Sequence, residues 1–227
     1  MAGSSAGAGT EPSAVGQVIA AVVVVGALAV GLWCLAVFSP QKSQASEPAV
    51  CKNDKEKRSA GPVSGAQLCT ALNRTDLPTL LGTPTEHAYS AAGRLSTATL
   101  SGGTKIVTPE ADVTLETYSV RLSASDDEYS VAEMTGLLGN TAQQETVLGH
   151  PAVLYSDRTL AISFSGGKAD SDPGGIARHL MVARSAKDGG GSFEIAIWRQ
   201  DDVVPDDAAL FRVAERVLPT IPGWTAG

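Results

Sequence analysis

Aromatic residues are scarce in this chain: three Trp, four Tyr and four Phe among 227 residues. So few rings argue against a stacking platform for bases or sugars. Basic charge is short as well. From Cys51 onward 16 Lys and Arg face 22 Asp and Glu. A net acidic region has no electrostatic footprint for nucleic acid or for an anionic lipid surface. The three histidines, His87, His150 and His179, stand in no i,i+3 or i,i+4 relation to one another or to cysteine. Zinc therefore has no local signature, and His87 and His150 read as turn or edge residues. No period of 20–50 residues repeats, which excludes a solenoid.

What is present begins with an apolar run, Ala14 to Phe38, that contains no charge and a single amide, Gln17. From Val18 to Phe38 it would rise roughly 31 Å at about 1.5 Å per residue, matching a bilayer core of about 30 Å. The run reads as one transmembrane helix over 14–38. Residues 1–13 are small and polar and read as a disordered tail. A cleaved signal peptide competes, because Ser43-Gln44-Ala45 offers small residues for a peptidase. The segment before the run has no Lys or Arg, however, and the run exceeds an ordinary signal core. A lipoprotein reading fails at Cys34, where Trp33 replaces the small residue required. Gly16-x-x-x-Ala20 and Ala27-x-x-x-Gly31 would let two such helices approach closely, but an Ala- and Gly-rich span carries that spacing by chance.

Two signals conflict over which side the rest of the chain occupies. Lys42, Lys52, Lys55, Lys57 and Arg58 all follow the run, and the positive-inside rule then favours the cytoplasm. Cys51 and Cys69 are the only cysteines after the run. Such a pair reads as one disulfide in an oxidising compartment, the alternative being two unrelated thiols.

The segment Val63 to Ala88, VSGAQLCTALNRTDLPTLLGTPTEHA, and the closing Val217, Leu218, Pro219, Ile221, Pro222, Gly223 and Trp224 carry a resemblance. The chain from about Cys51 to Trp224 resembles an uncharacterised actinobacterial family of single-span membrane-anchored proteins. The resemblance implies a domain outside the cytoplasmic membrane, at the cell envelope, and brings no activity or catalytic residues. Gly149-His150-Pro151-Ala152-Val153 is also similar to a G-x-P-A hairpin of envelope lipoproteins and extracellular sensor domains.

Residues 39–61 read as a solvated linker and 62–227 as one domain. Ser64 and Gln67 form a capping box for a helix over Gly65 to Leu72. Asp76, Pro78 and Gly82 bracket a second helical turn over Leu77 to Leu81. Asp112 to Ser123 reads as one strand, and Ser125 to Glu128 as the acidic start of a helix with Val131, Met134 and Leu138 along one stripe. Short strands follow at Gln144–Leu148, Ala152–Tyr155, Leu160–Phe164, His179–Ala183 and Ser192–Trp198, with turns at Gly149-His150-Pro151 and Asp157-Arg158. Asp206 and Asp207 open a last helix whose face is Leu210, Phe211, Ala214, Val217 and Leu218. Successive strands with short turns define an α+β class with a mainly antiparallel sheet and three to four helices.

Candidate chemistry is thin. Ser165-Gly166-Gly167-Lys168 matches S-x-x-K, but S-D-N and K-T-G are missing and two glycines make a loop. The run from Gly166 to Gly175 reads as a mobile loop, with Gly174-Gly175 and the other glycine pairs as turns. Asp170, Asp172 and Gly175 echo a calcium loop, but Pro173 interrupts it and Met181 stands where the last acid belongs. Gly-x-Ser-x-Gly is missing too. The expectation is a non-catalytic binding or interaction module without cofactor or metal. An accessory subunit of an envelope complex, with a protein partner there, and a small envelope hydrolase are the alternatives, and the oligomeric state stays open.

Overall fold

The computed structural model describes residues 48–53, 62–99, 105–126, 129–165 and 168–225. The expected tail over 1–13 and span over 14–38 lie outside the described residues. No helix among the described residues is long and apolar enough to cross a membrane.

Helix starts follow local capping chemistry. Helix α1 is Gly65–Leu72, where the Ser64 side chain accepts from the Gln67 amide and Gln67 Oε1 accepts from Ser64 N at 2.9 Å. Helix α2, Leu77–Leu81, ends at Gly82 in the left-handed region, φ 85°. Helix α3, Val131–Leu138, starts later than the acids at 125–128 suggest. Ser130 and Glu133 form its capping box, and Asp188 accepts from the amides of Val131 and Ala132. Helix α4 is Asp207–Val217, with Asp206 accepting from the Ala208 amide at 3.1 Å.

Eight strands form one sheet: β1 Lys52–Asn53, β2 Ser90–Thr99, β3 Lys105–Thr114, β4 Tyr118–Ser125, β5 Gln143–Val147, β6 His150–Ser165, β7 Lys168–Ala183 and β8 Ser192–Arg199. Their order is β1-β2-β3-β4-β8-β7-β6-β5, and every pairing is antiparallel except the parallel pair β1–β2. The class is α+β, as the pattern predicts. Residues 48–53 differ from the linker reading: Cys51 is bonded to Cys69, and Lys52 pairs with Ala92.

The two faces of the sheet differ because side chains alternate. On one face Ala111, Val113, Val120, Leu122, Leu180, Phe193, Ile195 and Ile197 pack under α1, α2 and α4. Leu68, Leu72, Leu77 and Leu81 are buried there, with Leu80 half-buried against them. In α4 the buried positions are Ala209, Leu210, Val213, Ala214 and Val217. Phe211 is a correction: it sits half-buried at the rim, and Val213 fills the place assigned to it. The opposite face is open except where α3 covers Val153, Met181 and Ala183.

Three strand assignments are corrected. Asp112 to Ser123 is two strands, because Leu115 donates back to the Tyr118 carbonyl at 2.7 Å and closes a tight turn. The expected turn at Asp157-Arg158 is instead a register shift inside β6, between Arg158 and Leu160. The expected loop from Gly166 to Gly175 is strand from Lys168 onward, with Asp170 opposite Ser163 and Asp172 opposite Ala161. Both long hairpins outrun the sheet. The β2–β3 ribbon leaves it beyond Glu110, where β4 pairing stops, and the β6–β7 ribbon leaves it at the other end, beyond Ala177. Strands that have left the sheet are not packed under helices and need no apolar alternation, so their sequence looks like a loop.

Candidate functional site

Register places unlike side chains in rows across the open face. One row runs Ala92, Asp112, Arg121, Ala196, His179 and Tyr155 through β2, β3, β4, β8, β7 and β6. The next row carries Arg94, Glu110, Ser123 and Glu194. Trp198 and Ala177 face each other in the row on the other side. Small residues at Ala177 and Ala196 leave a depression that larger side chains surround. The result is a groove of about 670 Å³, lined among others by Arg121, His179, Glu194 and Trp198. That volume is typical of small-ligand sites.

The β6–β7 ribbon and the turn after β8 close one end of the groove. Thr159 Oγ1 donates to the Gly175 carbonyl at 3.1 Å. A Cβ on Gly174 would stand 2.3 Å from Thr159 Oγ1, and one on Gly175 2.8 Å from Asp202 Oδ1. These two glycines, read from sequence as a loose loop, are strand residues that let backbone and wall meet.

The charged groups on the floor are bonded to one another. Asp112 accepts from Arg94 and, at 2.8 Å, from Arg121. Arg94 also pairs with Glu110 at 3.1 Å. His179 Nδ1 donates to Glu194 Oε1 at 2.8 Å, and the Tyr155 ring stacks on the imidazole at 4.7 Å. Tyr155 is raised well above the ordinary phenol range, first by burial and then by the nearby charge of Glu194. Burial works to lower the Arg121 pKa, but the hydrogen bond to Asp112 and the charges of Asp112, Glu110 and Glu194 outweigh it and the net shift is upward. The Arg121 guanidinium lies 5.8 Å from the Trp198 ring centre. One of the three Trp lines the groove.

The residues singled out from sequence fall elsewhere. Cys51 and Cys69 are bonded, with Cα atoms 6.0 Å apart, and pin the segment from Pro48 onward against α1. Ser165 ends β6 and Lys168 opens β7, paired with each other across the two strands, so both are strand residues. Asp170 and Asp172 are strand residues of the same ribbon. Among the described residues no group of three or more His, Cys, Asp or Glu is placed to hold a metal ion. His87 is exposed in the loop before β2.

His150 is the clearest correction among the histidines. Leu148 and Gly149 take φ values of 50° and 83°, a two-residue turn with both residues left-handed, and this swings His150 into the core. It is fully buried, donates from Nδ1 to the Ala183 carbonyl at 2.8 Å and stacks on Trp224 at 3.9 Å. The G-H-P-A hairpin and the closing P-G-W therefore meet in one packing unit, away from the groove.

The groove residues Arg121, Tyr155, His179, Glu194 and Trp198 escaped the sequence reading. The only signal was the alternation within Ser192–Trp198, which marks Glu194 and Trp198 as same-face neighbours.

An α+β domain with one helix-covered sheet face and a charged groove on the other is the class these features define. The chain belongs to a family of unknown function, DUF6215, whose sequence model matches residues 9–141. Arg94, Glu110, Asp112 and Arg121 lie inside the matched range, whereas Tyr155, His179, Glu194 and Trp198 lie beyond it. No curated protein and no solved structure matches the chain.

Proposed function

We propose that this chain is a membrane-anchored, extracytoplasmic binding module of an actinobacterial envelope, which recognises its ligand in the open-face groove and performs no catalysis. The observation that carries the reading is the mutual pairing on the groove floor. Glu194 is engaged by His179, and Asp112 by Arg94 and Arg121. Side chains held by one another in this way present fixed donors and acceptors, as a recognition surface does. The apolar run over 14–38 supports the anchor, and the Cys51–Cys69 bond supports an oxidising compartment.

Two measurements test the reading. Protease added to intact cells that produce the full chain should degrade the domain, and Cys51 and Cys69 should react with a thiol reagent only after reduction. A domain protected in intact cells, with both thiols free, would place it in the cytoplasm and end the proposal. Hydrogen exchange at Tyr118–Ser125 and Ser192–Arg199 should slow when the cell-envelope fraction is added. Unchanged exchange there would remove the groove from the function.

A further inference from the structure

Building on that reading of the groove, we infer that its ligand is a neutral, hydroxyl-rich molecule, a short glycan, with one sugar ring stacked on Trp198. Three features of the groove point to this chemistry.

The first is the space beside the indole. Across the sheet Trp198 has Ser119 as its partner on β4 and Ala177 on β7, both small. Arg121 flanks the ring from the β4 side. On the β7 side, the small Ala177 faces the half-buried indole and leaves room beside it in the groove. A flat apolar face beside an open gap suits the C–H face of a pyranose, as it suits any ring with an apolar side and polar edges.

The second is the state of the charges. Arg121, Arg94 and His179 each already have a carboxylate partner. An ionic ligand would meet charges that these partners already compensate. A hydroxyl is both donor and acceptor, so it adds to a pair without displacing either member.

The third is the composition of the lining, where Glu110, Asp157, Glu194 and Asp202 stand among Arg121, Arg158 and Arg199. No field of one sign selects a charged ligand. The volume of about 670 Å³ has room for more than one sugar ring.

The test uses the full chain in a sugar-free detergent, because glycoside detergents would compete for the groove. Neutral trisaccharides of glucose, mannose, galactose and N-acetylglucosamine are titrated by calorimetry. At least one should bind, and its affinity should hold within about twofold between about 0.05 and about 0.5 M salt, as expected for an uncharged ligand. Trp198→Ala should weaken that binding about tenfold or more, with Trp198→Tyr restoring most of it. Glu194→Gln should weaken it less, since an amide keeps one acceptor. Trp198→Tyr retains a ring and the strand, so it reports on the site even where Trp198→Ala fails to fold.

Binding that Trp198→Ala leaves intact, binding that collapses with salt, or no binding by any of the four probes at about 10 mM would overturn the assignment, since that concentration exceeds weak Kd values of about 1 mM. If no sugar binds while the envelope fraction still slows exchange at β4 and β8, the glycan is wrong and the binding groove stands. If neither has an effect, both fall.

Discussion

Helix α1 rests on the sheet through glycine at both surfaces, and one added methyl group tests that contact. A Cβ on Gly93 would stand 2.3 Å from the Gly65 carbonyl oxygen, 2.5 Å from its carbon and 2.8 Å from the Ala66 nitrogen. All three atoms are backbone, so no rotamer change relieves them. Nor can α1 easily back away, since the bond between Cys69 and Cys51 ties it to the sheet edge at Lys52 and Asn53. Overpacking costs about 1–3 kcal/mol, and this contact belongs at the top of that range. Replacing a strand glycine recovers about 0.5–1 kcal/mol. Gly93→Ala should therefore lose about 2 kcal/mol, a fall in Tm of roughly 4–8 °C for a domain of this size. Gly136→Ala is the internal control. It lies within α3, nothing stands within 4 Å of its added Cβ, and it should gain up to about 1 kcal/mol from helix propensity. Thermal melts of the full chain in detergent, followed by near-ultraviolet circular dichroism, compare the two. A Gly93→Ala protein that melts at or above the wild type would show that α1 does not sit on the β2 backbone.

Leu210→Ala should cost about 2–5 kcal/mol and Phe211→Ala distinctly less, because only Leu210 is fully buried. Denaturant midpoints that reverse this order would contradict the packing of α4. Cys51→Ser should lower stability by about 3 kcal/mol for a loop of this length, and reductant should do the same to the wild type but not to the variant. The Arg199 hydrogen bond holds the Asp201 carboxyl down at about 2, against an ordinary value of about 3.9. Its contribution to stability is thus present above about pH 4 and is lost as pH falls through about 2. Carbon-detected NMR should show that low midpoint, and Arg199→Ala should move it back toward the ordinary value.

Helix boundaries were legible because their signals are local. Ser64 with Gln67, and Asp76, Pro78 and Gly82, lie within one turn of what they cap. Helix α3 was misplaced at its start because the acids at 125–128 imitate a first turn, while its caps are Ser130 and, from far along the chain, Asp188. The β3–β4 turn was hidden because Leu115 is fully buried, so an apolar residue occupies a corner that turn residues usually mark. The disulfide was legible by elimination, as two cysteines after the apolar run leave one pairing. The groove was not. Arg121, Tyr155, His179, Glu194 and Trp198 come from four strands and become neighbours only through register, a property no window of sequence contains.

The strand order has a hidden two-fold rotation. Turn the sheet by half a revolution about an axis through the Arg121–Ala196 pair, and β4 falls on β8, β3 on β7 and β2 on β6. The two projecting ribbons change places, which is why they leave the sheet at opposite ends. Asp112 lands on His179, and Ala92 on Tyr155. The helices do not follow the rotation, since α3 lies on the open face and α1 and α2 on the other. The axis pierces the groove, so each half of the chain owns only part of it, and the site exists only once the β4–β8 seam has closed. Whatever occupies the groove therefore binds the joined halves and neither alone. By linkage it should raise the unfolding free energy of both halves together, so that they melt in one cooperative transition.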